Sequence, residues 1–233
     1  MEKYTTAVRA GIEAGRPEWV QIQRWIERFI CGTSAMQNIV GNRDHPGGGK
    51  VTEAHFRAGD AVAHVCPFVR ASIDADLFYI EESPLTNLLA IRKHLLARID
   101  DFKAAEPAFD PLTAGKPAGM PLGLKVLLVV FPQYQSPAAG PDTGVDQIFK
   151  WMIIHFIRQG MMLGQFYKGC AEEAVHNPQW KKVLTAPYLA WVLRYMQPHD
   201  HLFIKPGSAG YPIYQKFFPE ESCRNSDCAF FSR

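Results

Sequence analysis

The chain has 233 residues, 25 basic and 23 acidic, with 47% hydrophobic and 21% charged side chains. That balance excludes a wholly disordered chain, and the length is enough to bury a core without disulfide or metal staples. The net charge of +2 is spread without long runs, so the basic stripe that a nucleic-acid backbone requires is missing.

The longest largely apolar stretch, Leu124 to Pro132, is nine residues with Lys125 inside it and too short to cross a bilayer. Met1 to Thr6 lacks the basic and apolar regions of a signal peptide. Cys31, Cys66, Cys170, Cys223 and Cys228 are scattered, odd in number and unlike a secreted disulfide framework. The expectation is a cytoplasmic protein with a small-molecule partner and neither nucleic acid nor membrane; a homodimer is left open.

Pro17 to Cys31 reads as a helix, with Pro17 in its first turn and Trp19, Ile22, Ile26 and Phe29 at helical spacing. Asp44 to Lys50 is Gly-rich and ends in Lys, but it lacks the spacing and the following Ser/Thr of a phosphate loop and reads as a plain loop. Leu77 to Glu82 reads as a strand. Ser83-Pro84 is expected to open a long helix as N-cap and first turn, with Leu88, Ile91, Leu95, Ile99 and Phe102 on its apolar face. Leu124 to Phe131 is Val-rich and apolar but for Lys125, the pattern of a strand buried on both faces. A helix follows over Val145 to Met162, then strands over Leu163–Lys168 and Tyr188–Met196, while Pro198 to Arg233 reads as irregular. The fold class is α+β: one mixed sheet with two packed helices in the order β-α-β-α-β-β, preceded by an N-terminal helix and arm. The divisions fall at 1–60 for the arm, 61–204 for the core domain and 205–233 for the tail.

Few residues offer chemistry. Cys223 and Cys228 lack the second pair of a zinc site. His199-Asp200-His201 is a conceivable metal half-site or, through His199 and Asp200, a general-base pair. Cys66-Pro67 is either a haem-thiolate segment or a buried small hydrophobe. On the helix around His155, the wheel puts Ile153, Ile154, Phe156 and Ile157 on the core side. Trp151, Met152, His155, Arg158, Gln159 and Met162 then form a mixed arc, suited either to a pocket wall around a flat ligand or to an ordinary helix surface.

Several segments form a set: Val65-Cys66-Pro67-Phe68-Val69, the strand with Leu127, Val129 and Phe131, Gly160 to Phe166, Asn177-Pro178 with Trp180, Ala186-Pro187, and Arg194-Tyr195-Met196 with Asp200 and Phe203. Over about residues 56–204 this set resembles a bacterial family of unassigned function met in actinobacterial biosynthetic clusters. That family is distantly similar to the YcgG-like haem proteins, which share a Cys-Pro-Phe segment, a long helix with a His and a late strand after a Pro. The resemblance implies a haem-dependent monooxygenase that hydroxylates nitrogen on a small amino-acid-derived substrate. In that reading His155, or alternatively Cys66, ligates iron. Cys66, Phe68, Trp151 and Met152 line the pocket, and Arg158 or Arg194 binds a propionate or substrate carboxylate. The alternative is a non-catalytic ligand-binding or scaffold protein of a biosynthetic cluster.

Overall fold

The computed structural model describes residues 1–30, 67–114, 122–136, 141–170 and 184–219. Cys31, the Gly-rich loop at 44–50, Cys66, Asn177–Trp180, Cys223 and Cys228 lie outside the described residues. In chain order the elements are β1 (Glu2–Lys3), α1 (Tyr4–Glu13) and α2 (Pro17–Arg24), which a π-helical turn continues over Trp25–Ile30. Next come α3 (Pro67–Asp74), β2 (Phe78–Glu82), α4 (Leu88–Ala104), α5 (Pro111–Ala114) and β3 (Val126–Phe131). The rest is α6 (Thr143–Arg158), β4 (Met161–Phe166), β5 (Leu189–Tyr195) and α7 (Tyr211–Phe217), with 3-10 turns at Leu122–Leu124 and Pro198–Leu202.

One five-stranded mixed sheet runs β1-β2-β3-β5-β4, giving the α+β architecture. Strands β2 and β3 are parallel, and β5 is antiparallel to both β3 and β4. Hence β2, β3 and β4 all point the same way. β3 is buried along its whole length because side chains alternate between two cores. Leu127, Val129 and Phe131 face α4 and α6, while Val126, Leu128 and Val130 face α1, α2 and Val69 of α3. No polar side of this strand is left for water, which is why its sequence is an unbroken apolar run.

The segment read as an N-terminal arm contributes β1 and, with α1 and α2, covers one sheet face. Tyr4, Ala7, Val8 and Gly11 form the inward stripe of α1, a helix that the sequence reading left unassigned. A Cβ on Gly11 would run into the indole of Trp19, so glycine permits this close approach of α1 and α2.

Helix α4 starts later than expected. Asn87 is its N-cap, with Oδ1 accepting from the N–H of Leu89 at 2.9 Å and of Ala90 at 3.1 Å. Ser83 lies before this helix and belongs to the sheet: its N–H donates to the Val130 carbonyl at 2.9 Å and extends the β2–β3 pairing. Helix α6 ends at Arg158 rather than Met162. Gly160 takes φ +70°, reverses the chain, and sends Met161 and Met162 into β4. The stretch after Pro198, read as irregular, includes α7, whose Tyr214 packs with Ile157, Met162, Met196, Ile204 and Phe218.

Candidate functional site

Because β2, β3 and β4 are parallel to one another, their C-terminal ends lie together at one end of the sheet. Glu81 pairs with Val129, Val129 with Trp191, and Trp191 with Gln165, so these four residues form one cross-strand row on the face beneath α4 and α6. The N-terminal turns of the two helices meet above this end: a Cβ on Gly144 would lie 2.8 Å from Leu88 Cδ1. In open sheets with parallel strands, ligands commonly sit outside the strands' carboxyl ends.

At the β2 end of the row, Glu81 is held by α4. Its Oε1 lies 2.8 Å from His94 Nε2, and its Oε2 lies 3.0 Å from Arg98 Nε. His94 also packs edge-on against Phe131, with ring centroids 6.1 Å apart. A carboxylate pinned by an arginine sets the position of the ring beside it, and His94 Nε2 and Glu81 Oε2 complete no hydrogen bond in this arrangement.

At the β4 end, α6 supplies two carboxylates. Asp142 caps the helix through Oδ1, which accepts from the N–H of Gly144 and Val145, and its Oδ2 accepts from the Tyr134 hydroxyl at 2.9 Å. One turn on, Asp146 Oδ1 accepts from Gln165 Nε2 at 2.8 Å and from the Tyr167 hydroxyl at 3.0 Å. Burial, and then the bonded carboxylate, push the phenols of Tyr134 and Tyr167 well above the ordinary tyrosine range. Both stay protonated donors. Cys170 is buried in the same core cluster as Tyr167.

Between the two ends lies an imbalance. Gln165 Oε1 and Trp191 Nε1 are buried and carry no hydrogen bond, and Ser136 Oγ and Arg92 Nε are in the same condition. Buried polar atoms without partners are rare in folded proteins. Here Gln165 and Trp191 are cross-strand neighbours.

The residues singled out from sequence lie apart from this row. His155 and Arg158 are exposed on α6, and Trp151 on the same face is 51% exposed. Met152, expected beside them in a pocket wall, is 0% exposed and packs in the core under α4 and α6. Gln159 sits at the C-cap of α6, accepting from Lys103 Nζ at 2.6 Å, and Met162 lies in β4. Arg194 makes a bidentate pair with fully buried Asp200, at 2.8 and 2.5 Å. Asp200 Oδ2 also accepts from the Gln197 N–H at 2.8 Å, so Arg194 and Asp200 engage each other and fasten the turn after β5. His201 Nδ1 lies 3.0 Å from the Pro198 carbonyl. The side chains of Phe68 and His199 lie outside the described residues, as does Cys66. Among the described residues, no group of three or more His, Cys, Asp or Glu side chains could hold a metal ion, and no helix is long and apolar enough to cross a membrane.

Were a haem bound here, His155 would be the residue to hold its iron, Arg158 a propionate, and Trp151 would supply aromatic contact. Met152 is turned into the core and Arg194 is taken by Asp200, so the residues named for that pocket fit the group only in part.

Glu81, His94, Gln165 and Trp191 escaped the sequence reading. Two signals were present: a charged residue at the core-facing phase of β2, in step with Tyr79, and one amide within the apolar run Met161–Phe166.

Fold and site together define an α+β protein in which two helices roof one face of a mixed sheet and a partly unsatisfied polar row crosses beneath them. The chain belongs to the family described as a domain of unknown function, DUF6875, whose model matches residues 52–228. No curated protein and no solved structure matches the chain.

Proposed function

We propose that this chain binds a small polar molecule at the C-terminal end of its sheet, with His94 as the group that exchanges a proton with it. The observation that carries this reading is the Glu81–His94 pair at 2.8 Å, in the same cross-strand row as the unpaired Trp191 and Gln165 atoms. A positioned imidazole held by a carboxylate, beside polar groups awaiting partners, is the arrangement of a general acid–base site. Arg98 holds Glu81 in place, and Glu81 lies against His94. The cytoplasm is the compartment we assign, on the scattered cysteine pattern.

Native mass spectrometry of the full chain tests the binding. A small molecule carried by the wild type and lost from Glu81→Gln and Trp191→Phe, with both variants still folded, supports the reading. A wild type that carries nothing, and whose melting temperature no fraction of a host-cell small-molecule extract raises, sinks it.

A second reading has its own observation, the shared exposed face of Trp151, His155 and Arg158 on α6. Here the chain is a haem-dependent monooxygenase hydroxylating nitrogen on an amino-acid-derived substrate, as the resemblance to YcgG-like proteins implies. His155 would hold the iron, Arg158 a propionate, and Trp151 would lie against the macrocycle. Haem when bound supplies the oxygen chemistry. One absorption spectrum after expression with haem supply decides it. A Soret band that His155→Ala shifts or abolishes supports haem, while colourless wild-type protein removes this reading and leaves the first.

A further inference from the structure

The orientation of the Gln165 amide is fixed by its neighbour. Asp146 Oδ1 already accepts from the Tyr167 hydroxyl, and a carboxylate can only accept, so the nitrogen of Gln165 points to Asp146 and its oxygen points away. That oxygen has no partner although Gln165 is 4% exposed. On the adjacent strand, Trp191 is 0% exposed, and its indole N–H has no partner either. Paired residues on antiparallel strands hold their side chains side by side on one face, with Cβ atoms about 5 Å apart. A lone acceptor and a lone donor are therefore carried by neighbouring side chains on one face, and they do not bond to one another.

Two of the neighbours of Trp191 are apolar. Val129, the partner of Trp191 on its other side, is fully buried, and the Phe149 ring faces the indole with centroids 6.1 Å apart at 30°. Such a setting decides between ligand chemistries. A carboxylate would satisfy the indole but set its charge against Gln165 Oε1 and the Asp146 carboxylate. A bare ammonium would satisfy Gln165 and leave the indole N–H unmet. One neutral group serves both: an edge with a carbonyl oxygen and an N–H on the same side.

We propose that Gln165 and Trp191 are a recognition pair for the cis-amide edge of a small neutral molecule, a lactam, imide or primary carboxamide. The ligand's N–H donates to Gln165 Oε1, and its carbonyl accepts from Trp191 Nε1. An ordinary trans amide presents these groups on opposite sides and is not bound this way. The inference rests on the reading that the ligand is taken at this end of the sheet, and it names the class of that ligand.

The test follows the indole N–H resonance of Trp191 in nitrogen-15 spectra of the full chain, identified by its loss in Trp191→Phe. With 2-pyrrolidinone as probe, this resonance moves downfield and saturates. N-methyl-2-pyrrolidinone, which keeps the acceptor but lacks the donor, binds about tenfold or more weakly, the worth of one lost hydrogen bond. Gln165→Met removes the same discrimination. Should that variant fail to fold, Trp191→Phe read through the Gln165 side-chain amide serves instead, and there the lactam must lose its hold to a similar degree. An unmoved indole resonance, an equal response to both probes, or a long-lived water that stays on the indole proton at saturating lactam overturns the proposal. A co-purified molecule found by mass spectrometry alongside an unmoved indole would sink the amide class alone and leave the ligand site standing.

Discussion

Lys125 shows how a single residue can record the cost of its position. Fully buried at the start of β3, it donates to the carbonyls of Ala105 and Pro107, and its ammonium lies 4.8 Å from the Phe102 ring centre. Burial nevertheless lowers its pKa to about 8, with Glu106 opposing the shift. Between pH 8 and the ordinary lysine value of 10.5, the unfolded chain keeps a proton that the folded chain has released, so stability rises with pH in that window. The phenols of Tyr134, Tyr167 and Tyr195, all pushed upward chiefly by burial, act oppositely above their ordinary value of 10.0. There the folded chain keeps protons that the unfolded chain loses. The melting temperature should therefore climb from pH 7.5 to 9.5 and then fall, and Lys125→Met should flatten the climb. Parallel curves for wild type and variant would refute this. Residue-scale chemistry was the least legible part of the sequence. His94 and Glu81 are 13 positions apart, and only the packing of α4 on β2 brings them together.

Whole elements were easier to read, wherever burial alone set the pattern. β3 was legible because both of its faces are core. Val129→Asp would put an unpaired carboxylate between Glu81 and Trp191, and should give unfolded or insoluble protein; a soluble variant with an unchanged melting curve would contradict the packing. Boundaries were less legible, since they depend on which partner takes a backbone group. Ser83-Pro84 has the composition of a helix start, but the sheet claims the Ser83 N–H and the cap passes to Asn87. Asn87→Ala should then cost about 1 kcal/mol of stability in denaturant titration, and a loss near zero would show that the cap contributes nothing. On α6, Phe156 and Ile157 are buried as expected, and the misreading falls on Met152, which faces the core rather than a pocket. Four successive large apolar residues, Trp151 to Ile154, blur the helical period, and the buried residues are Val145, Ile148, Met152, Phe156 and Ile157.

On the scale of the molecule, the α+β class and the order of the main strands and helices followed from alternating strand and helix patterns. Three things could not follow from local pattern: the roofing of one face by α1 and α2, the antiparallel entry of β5, and the register that joins Gln165 to Trp191 across a connection of 22 residues between Phe166 and Leu189. Each depends on contacts between segments far apart in sequence. The placement of β5 has a consequence for how the protein is made. The last strand to leave the ribosome is the one that must sit between β3 and β4. A nascent chain that has delivered Phe166 but not Leu189 offers one unfilled edge on β3 and a β4 without its neighbour, the kind of surface that chaperones cover. The sheet should therefore close in a single late event. In an arrest-peptide force measurement on stalled chains, pulling force should appear only after Tyr195 clears the exit tunnel. An earlier force, arising once Phe166 alone has emerged, would mean that β1 to β4 can settle without the strand that lies between β3 and β4.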